Sequence, residues 1–113
     1  MSTPDRDPAH LAPVMQQAVL ALIKVRPLTI VETLRSYQRQ VEMLKSGKSK
    51  TLHSRHLVGM GCDVMPNDGY SSYKDADWQA LHDEWDAIVI ALGHTPEKRI
   101  AWDLGHLGIK DHE

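Results

Sequence analysis

The chain has a single cysteine, Cys62, among its 113 residues, which excludes an internal disulfide framework and any zinc site built from several thiolates. It has no excess of charge. Thirteen Lys and Arg against fifteen Asp and Glu leave a formal charge of -2, so no global positive field awaits a nucleic acid, and none is expected as a partner. It also lacks a long apolar run: the segment VMQQAVLALIKV is interrupted by Gln16 and Gln17, and the preceding MSTPDRDPAH has neither a basic n-region nor a signal-peptidase site. Neither a signal peptide nor a membrane span is therefore expected. No repeat or low-complexity stretch is visible. What remains is the composition of an ordinary globular protein, 42% hydrophobic and 25% charged, with room for one domain over residues 1–113 and a monomer as the default.

Residues 1–9, with two prolines and no apolar period, read as a loose arm. Beyond Pro13, Val14, Ala18, Ala21, Leu22 and Val25 recur at helical spacing until Pro27 forbids continuation. LTIVETLRS is rich in β-branched residues and reads as a strand ending near Arg35. The period then changes: Tyr37, Val41 and Leu44 mark a second helix, with Ser36 as its N-cap and Gly47 as its stop. Residues 45–55, carrying Lys45, Lys48, Lys50 and Arg55, read as an exposed basic loop, either merely solvated or a rim that steers an anionic polymer. GCDVMP reads as a strand ended by Pro66. From Asp75, the series Trp78, Leu81, Trp85, Ile88, Val89, Leu92 predicts an amphipathic third helix with both tryptophans in the core. RIAWDL and HLGIK read as two short strands around Gly105. The order α, β, α, β, α, β, β predicts an α+β domain, about three helices packed on a small, mainly antiparallel sheet.

The chemistry concentrates in two places. SRHLVGMGCDV sets His56 and Asp63 seven residues apart, with Gly59 and Gly61 between them to permit a sharp reversal. AWDLGHLGI sets Asp103 three residues before His106, again within an apolar stretch. Two His/Asp pairs of this kind suit a His, Asp, His metal site with a spare carboxylate, since a catalytic zinc takes three protein ligands and leaves one position open. They suit structural roles as well. Arg35, at a strand end, could hold a carboxylate or a developing oxyanion.

SRHLVGMGCD resembles the Ser-x-His-x-x-Gly-x-Ala-x-Asp motif of the zinc peptidases that include VanY- and VanX-type D-Ala-D-Ala carboxypeptidases and dipeptidases and the L-alanyl-D-glutamate endopeptidases of bacteriophages. Ser54, His56, Gly59 and Asp63 match in position. Upstream, Arg35, Ser36 and Gln40 resemble the family's Arg-Ser-x-x-x-Gln segment, and downstream DLGH resembles its acidic-x-x-His motif. The resemblance runs in order from about residue 28 to 110. It implies the small α+β fold shared with the Hedgehog signalling domain, Zn2+ held by His56, Asp63 and His106, Asp103 as general base, Arg35 as the cation for substrate and transition state, and Ser54 as a group orienting a ligand or the substrate. Two departures stand out: Gly61 replaces the motif's Ala, and GHTPEKRIAWDLGH is shorter than the family's tryptophan- and glycine-rich segment, keeping only Trp102.

The function this implies is hydrolysis of a bond in peptidoglycan stem peptides, of the phage endolysin type, by an enzyme made in the host cytoplasm and acting on the wall after release. The alternatives are a D-Ala-D-Ala carboxypeptidase or dipeptidase, and a non-catalytic zinc-stabilised wall-binding module. Other candidates read as plain structure. His53 falls outside the motif, His82 beside Asp83 and Glu84 reads as a solvated helix residue, and His10, His94 and His112 read as surface. Cys62 should point into the core rather than serve as a nucleophile beside His56. Asp68, Asp75 and Asp77 offer too few ordered ligands for calcium.

Overall fold

Proline brackets the first helix. In the computed structural model, which describes residues 3–51 and 54–110, α1 (Pro13–Val25) opens on a proline, where no backbone N–H is needed, and stops two residues before Pro27. Ser36 caps α2 (Tyr37–Lys45), its hydroxyl accepting from the Arg39 N–H at 3.1 Å. α3 (Asp75–Ala91) carries Asp75 and Asp77 in its first turn, where carboxylates favour the positive end of the helix, and Asp77 accepts from the Lys74 N–H at 2.9 Å. The strands β1 (Leu28–Glu32), β2 (Gly61–Pro66) and β3 (His106–Gly108) pair antiparallel in that order. The domain is thus α+β, with three helices and a three-stranded antiparallel sheet among the described residues.

One face of the sheet makes the core. Met15, Ala18, Val19 and Leu22 of α1 and Trp78, Leu81, Trp85 and Val89 of α3 close on Cys62, Val64 and Leu107 of the sheet. Trp85 donates its indole N–H to the Gly108 carbonyl at 3.0 Å, so its burial strands no donor. Cys62 lies wholly inside, and burial pushes its thiol up, away from the thiolate a nucleophile needs.

Alternation puts Asp63 on the opposite face. In the ladder Asp63 stands across from His106 on one side and Glu32 on the other. The second pairing depends on an irregularity between Ile30 and Glu32, without which Val31 would face Asp63. Residues directly opposite share a face, so Glu32, Asp63 and His106 form one polar row across three strands.

Four readings need correction. The arm is not loose over residues 3–9, its described part: the Asp5 carbonyl accepts from the Thr33 N–H at 2.7 Å and its carboxylate from the Thr33 hydroxyl at 2.8 Å. Thr33 is fully buried just past the end of β1, and the arm supplies the partners its polar groups require. β1 ends at Glu32 rather than near Arg35, because the chain turns to α2 after the bulge. RIAWDL forms no strand. Tight turns occupy it instead, with the Asp103 N–H donating to Ile100 O and the His106 N–H to Asp103 O, each at 3.1 Å. His82 is buried, not solvated; its Nε2 donates to the Leu104 carbonyl at 2.7 Å and so holds the turn between Asp103 and His106 against α3.

Candidate functional site

His56 rides on a single 3-10 turn, Arg55–Val58, whose N-cap is Ser54, the hydroxyl accepting from the His56 N–H at 3.2 Å. Gly59, at φ +73°, ends the turn and reverses the chain into β2. The reversal expected from two glycines needs only this one, since Gly61 already lies in the strand. The turn is anchored from outside as well: the Arg35 N–H donates to the His56 carbonyl at 2.9 Å.

The His56 side chain is set from both ends. Nδ1 donates to the Thr33 carbonyl at 2.7 Å, and Nε2 lies 3.1 Å from Asp63 Oδ1. His106 approaches the same oxygen with Nδ1, also at 3.1 Å, while its Nε2 lies 2.8 Å from Glu97 Oε1. The two rings sit 5.2 Å apart between centroids. One donor atom from each of His56, Asp63 and His106 falls within 4.8 Å of the others.

Tetrahedral zinc with bonds of about 2.0–2.1 Å places its ligand atoms about 3.3 Å apart. The two His–Asp separations already match this spacing, and the outward nitrogen of each histidine has an acceptor of its own, the Thr33 carbonyl for His56 and the Glu97 carboxylate for His106. The donor set, two imidazoles and a carboxylate, suits zinc. The group could therefore hold a metal ion.

Charge at the site is balanced by hydrogen bonding. Burial works against the Asp63 carboxylate, yet His106 and His56 hold it well below the ordinary range. Burial likewise works against a charged His106, but the Asp63 and Glu97 carboxylates push it up to about 10. In the metal-free chain a proton on His106 thus supplies the positive charge between two carboxylates. Asp103 moves the other way: burial raises it, and the nearby charge of Asp63 raises it further.

Arg35 is buried, with Nη2 on Glu32 at 2.6 Å, Nη1 on Gln40 at 2.7 Å, and Nη2 also 3.6 Å from Asp63 Oδ2. Its Nε is buried with no hydrogen-bond partner among the described residues. Gln40, the one buried residue of α2, passes the connection on by donating Nε2–H to Ser49 Oγ and the Thr51 carbonyl at 2.8 and 2.5 Å. The basic loop is therefore tied to Arg35. A cavity of about 450 Å³ opens beside this network, lined by Arg35, Ser54, His56, Trp102, Asp103 and His106 among others, with Lys48 and Ser49 of the loop on its wall.

All six residues singled out in the sequence therefore meet: three in the donor group and three on the adjoining cavity, to which His56 and His106 also belong. His53 and His112 lie outside the described residues. His10 pairs with Asp5 on the surface, Asp75 pairs with Arg99, and Asp77 caps α3. Sequence reasoning missed Glu32, Thr33 and Glu97. Glu32 was hidden by the bulge and Thr33 by the docked arm, and Glu97 lies in a stretch without period.

The α+β domain thus carries a partly buried His–Asp–His donor group beside an open cavity. Among solved structures the chain is similar to the Serratia marcescens L-Ala D-Glu endopeptidase ChiX, with 27% identity and a TM-score of 0.75 over 91% of this chain and 83% of that one. No family model matches the chain, and no curated protein does. The similarity establishes the fold and supports the relation to peptidases drawn from the three motifs.

Proposed function

We propose that this chain is a zinc-dependent peptidoglycan peptidase that hydrolyses a bond of the stem peptide, the L-alanyl-D-glutamate bond. The observation that carries the proposal is the convergence of His56, Asp63 and His106 on one point beside Asp103 and Arg35, in a fold shared with an L-Ala D-Glu endopeptidase. Assignment to the phage lysis type, with synthesis in the host cytoplasm and action on the wall after release, belongs to the same proposal and rests on the sequence resemblance.

His56 Nε2, an Asp63 oxygen and His106 Nδ1 would hold the ion. When bound, zinc supplies a Lewis acid for the scissile carbonyl and for the attacking water. The chain's own residues do the rest. Asp103 takes a proton from the attacking water and delivers it to the leaving amine nitrogen; its raised affinity for a proton favours the first of these transfers. Arg35, pinned by Glu32 and Gln40, keeps a positive charge at the cavity wall for the oxyanion that develops on the carbonyl. Lys48 and Arg55 add positive charge to the same cavity, and the exposed Trp102 gives a peptide an apolar surface.

Incubating purified peptidoglycan with the zinc-loaded protein is expected to yield new amino-terminal D-glutamate and new carboxy-terminal L-alanine, read by mass spectrometry. Release of free D-alanine alone would move the assignment to a D-Ala-D-Ala carboxypeptidase. The absence of any cleavage would overturn the enzyme reading.

Zinc uptake should also depend on pH in a definite direction. His106 must give up its Nδ1 proton for the ion to bind, and that proton is held up to about pH 10. The proton competes best at low pH, so affinity should rise about tenfold per pH unit across roughly pH 6 to 9, as one displaced proton requires. Competition with a chromophoric chelator measures this. A flat profile would show that binding displaces no proton from His106 in this range.

A further inference from the structure

Glu97 comes from the segment that follows α3. The short bridge between Pro96 and Ile109 lays that segment along the outer edge of β3, where the Glu97 N–H donates to the Gly108 carbonyl at 2.9 Å. The fold thereby brings the Glu97 carboxylate to the far nitrogen of His106, Nε2, at 2.8 Å. A side chain on Gly108 would forbid this, since a Cβ there would overlap Glu97 Oε1 and crowd Glu97 Cβ at 3.2 Å. Arg55 flanks the carboxylate from the other side, its Nε 3.6 Å from the same oxygen.

We infer that Glu97 is the positioning residue for His106: it accepts the Nε2–H, fixes the ring, and leaves Nδ1 free for a metal ion, with Gly108 providing the space it needs. This rests on the reading of His106 as a ligand. The symmetry with His56 supports it, because there the Thr33 carbonyl takes the outward N–H at 2.7 Å and the inward nitrogen faces Asp63. One histidine is held by a backbone carbonyl and the other by a carboxylate, which also raises the basicity of its imidazole. Without an acceptor the His106 ring, 8% exposed, would have either nitrogen available for the proton and little to hold its orientation.

The test is a zinc-affinity cycle on the full chain, by chelator competition at fixed pH. Glu97→Ala is expected to weaken zinc about 10- to 100-fold, the range for loss of such a partner. Glu97→Gln, which keeps an acceptor oxygen, should recover most of that loss. Gly108→Ala should weaken zinc by displacing Glu97, and the double variant Glu97→Ala/Gly108→Ala should be no weaker than Glu97→Ala alone. Circular dichroism of each metal-free variant confirms that the comparison is between folded chains. If the parent binds zinc and Glu97→Ala binds it within twofold, or if the two single losses simply add, the role of Glu97 is overturned while the metal site stands. A parent chain that takes up no zinc overturns the site itself, and the inference with it.

Discussion

Replacing Asp103 with asparagine is expected to lower the rate of stem-peptide hydrolysis about 10²- to 10⁴-fold, the span that a positioned general base contributes, while the zinc content stays at one ion per chain. The variant keeps the shape of the side chain and removes only its ability to carry a proton. His56, Asp63 and His106 are untouched, so the ion has no reason to leave. The fold should not suffer either, because Asp103 is half-buried and its charge opposes that of Asp63. Metal analysis, thermal unfolding and the rate at which new amino termini appear give the three readings. Unchanged hydrolysis would place the base elsewhere, and lost zinc would make Asp103 a ligand. A zinc-stabilised binding module predicts no hydrolysis in the parent at all.

The second large effect is expected far from any substrate. Glu32, almost wholly buried, accepts from Arg35 at 2.6 Å and from Arg39 Nε at 2.5 Å. Glu32→Gln leaves two guanidinium groups without their carboxylate, and removing one partner of a buried ion pair costs about 3–5 kcal/mol. Urea unfolding of the metal-free chain at neutral pH measures it; a loss under about 1 kcal/mol would show that the network contributes little net stability. The pH dependence provides a second reading. Burial opposes the Glu32 charge, but Arg35 and Arg39 hold its carboxyl below the ordinary value of 4.5. Its contribution is therefore complete above that value and lost as pH falls through the lower, folded one. In Glu32→Gln this component of acid unfolding should vanish. Arg35, deprived of its nearer carboxylate, would also turn toward Asp63, already 3.6 Å away, and zinc should bind more weakly.

The elements were legible wherever punctuation was local. Pro13, Pro27, Ser36 and Pro66 mark real boundaries, and the apolar period of α3 identified Trp78 and Trp85 as core residues. His82 was misread although the signal was there: it stands four residues after Trp78 and three before Trp85, on the buried stripe, and the charged neighbours Asp83 and Glu84 obscured it. RIAWDL failed for the opposite reason, because an apolar run cannot by itself distinguish a strand from a pair of tight turns. The donor group was readable from the His56–Asp63 and Asp103–His106 spacings together with the motif. Its supports were not. Glu32 owes its place to a bulge, Thr33 to a docked arm, and Glu97 to the bridge of its neighbour Pro96 with Ile109; each is a pairing between distant segments, which local pattern does not encode.

The polar row across the sheet has a consequence for how the chain reaches its native state. Because side chains alternate, a slip of β2 by one residue would send Asp63 into the core and bring Cys62 or Val64 to the position between the two histidines. An ion that needs His56, Asp63 and His106 together can bind only the correctly paired sheet, so its binding energy counts toward that register and against every slipped one. Zinc here would act as a proofreader of strand pairing before it takes any part in hydrolysis.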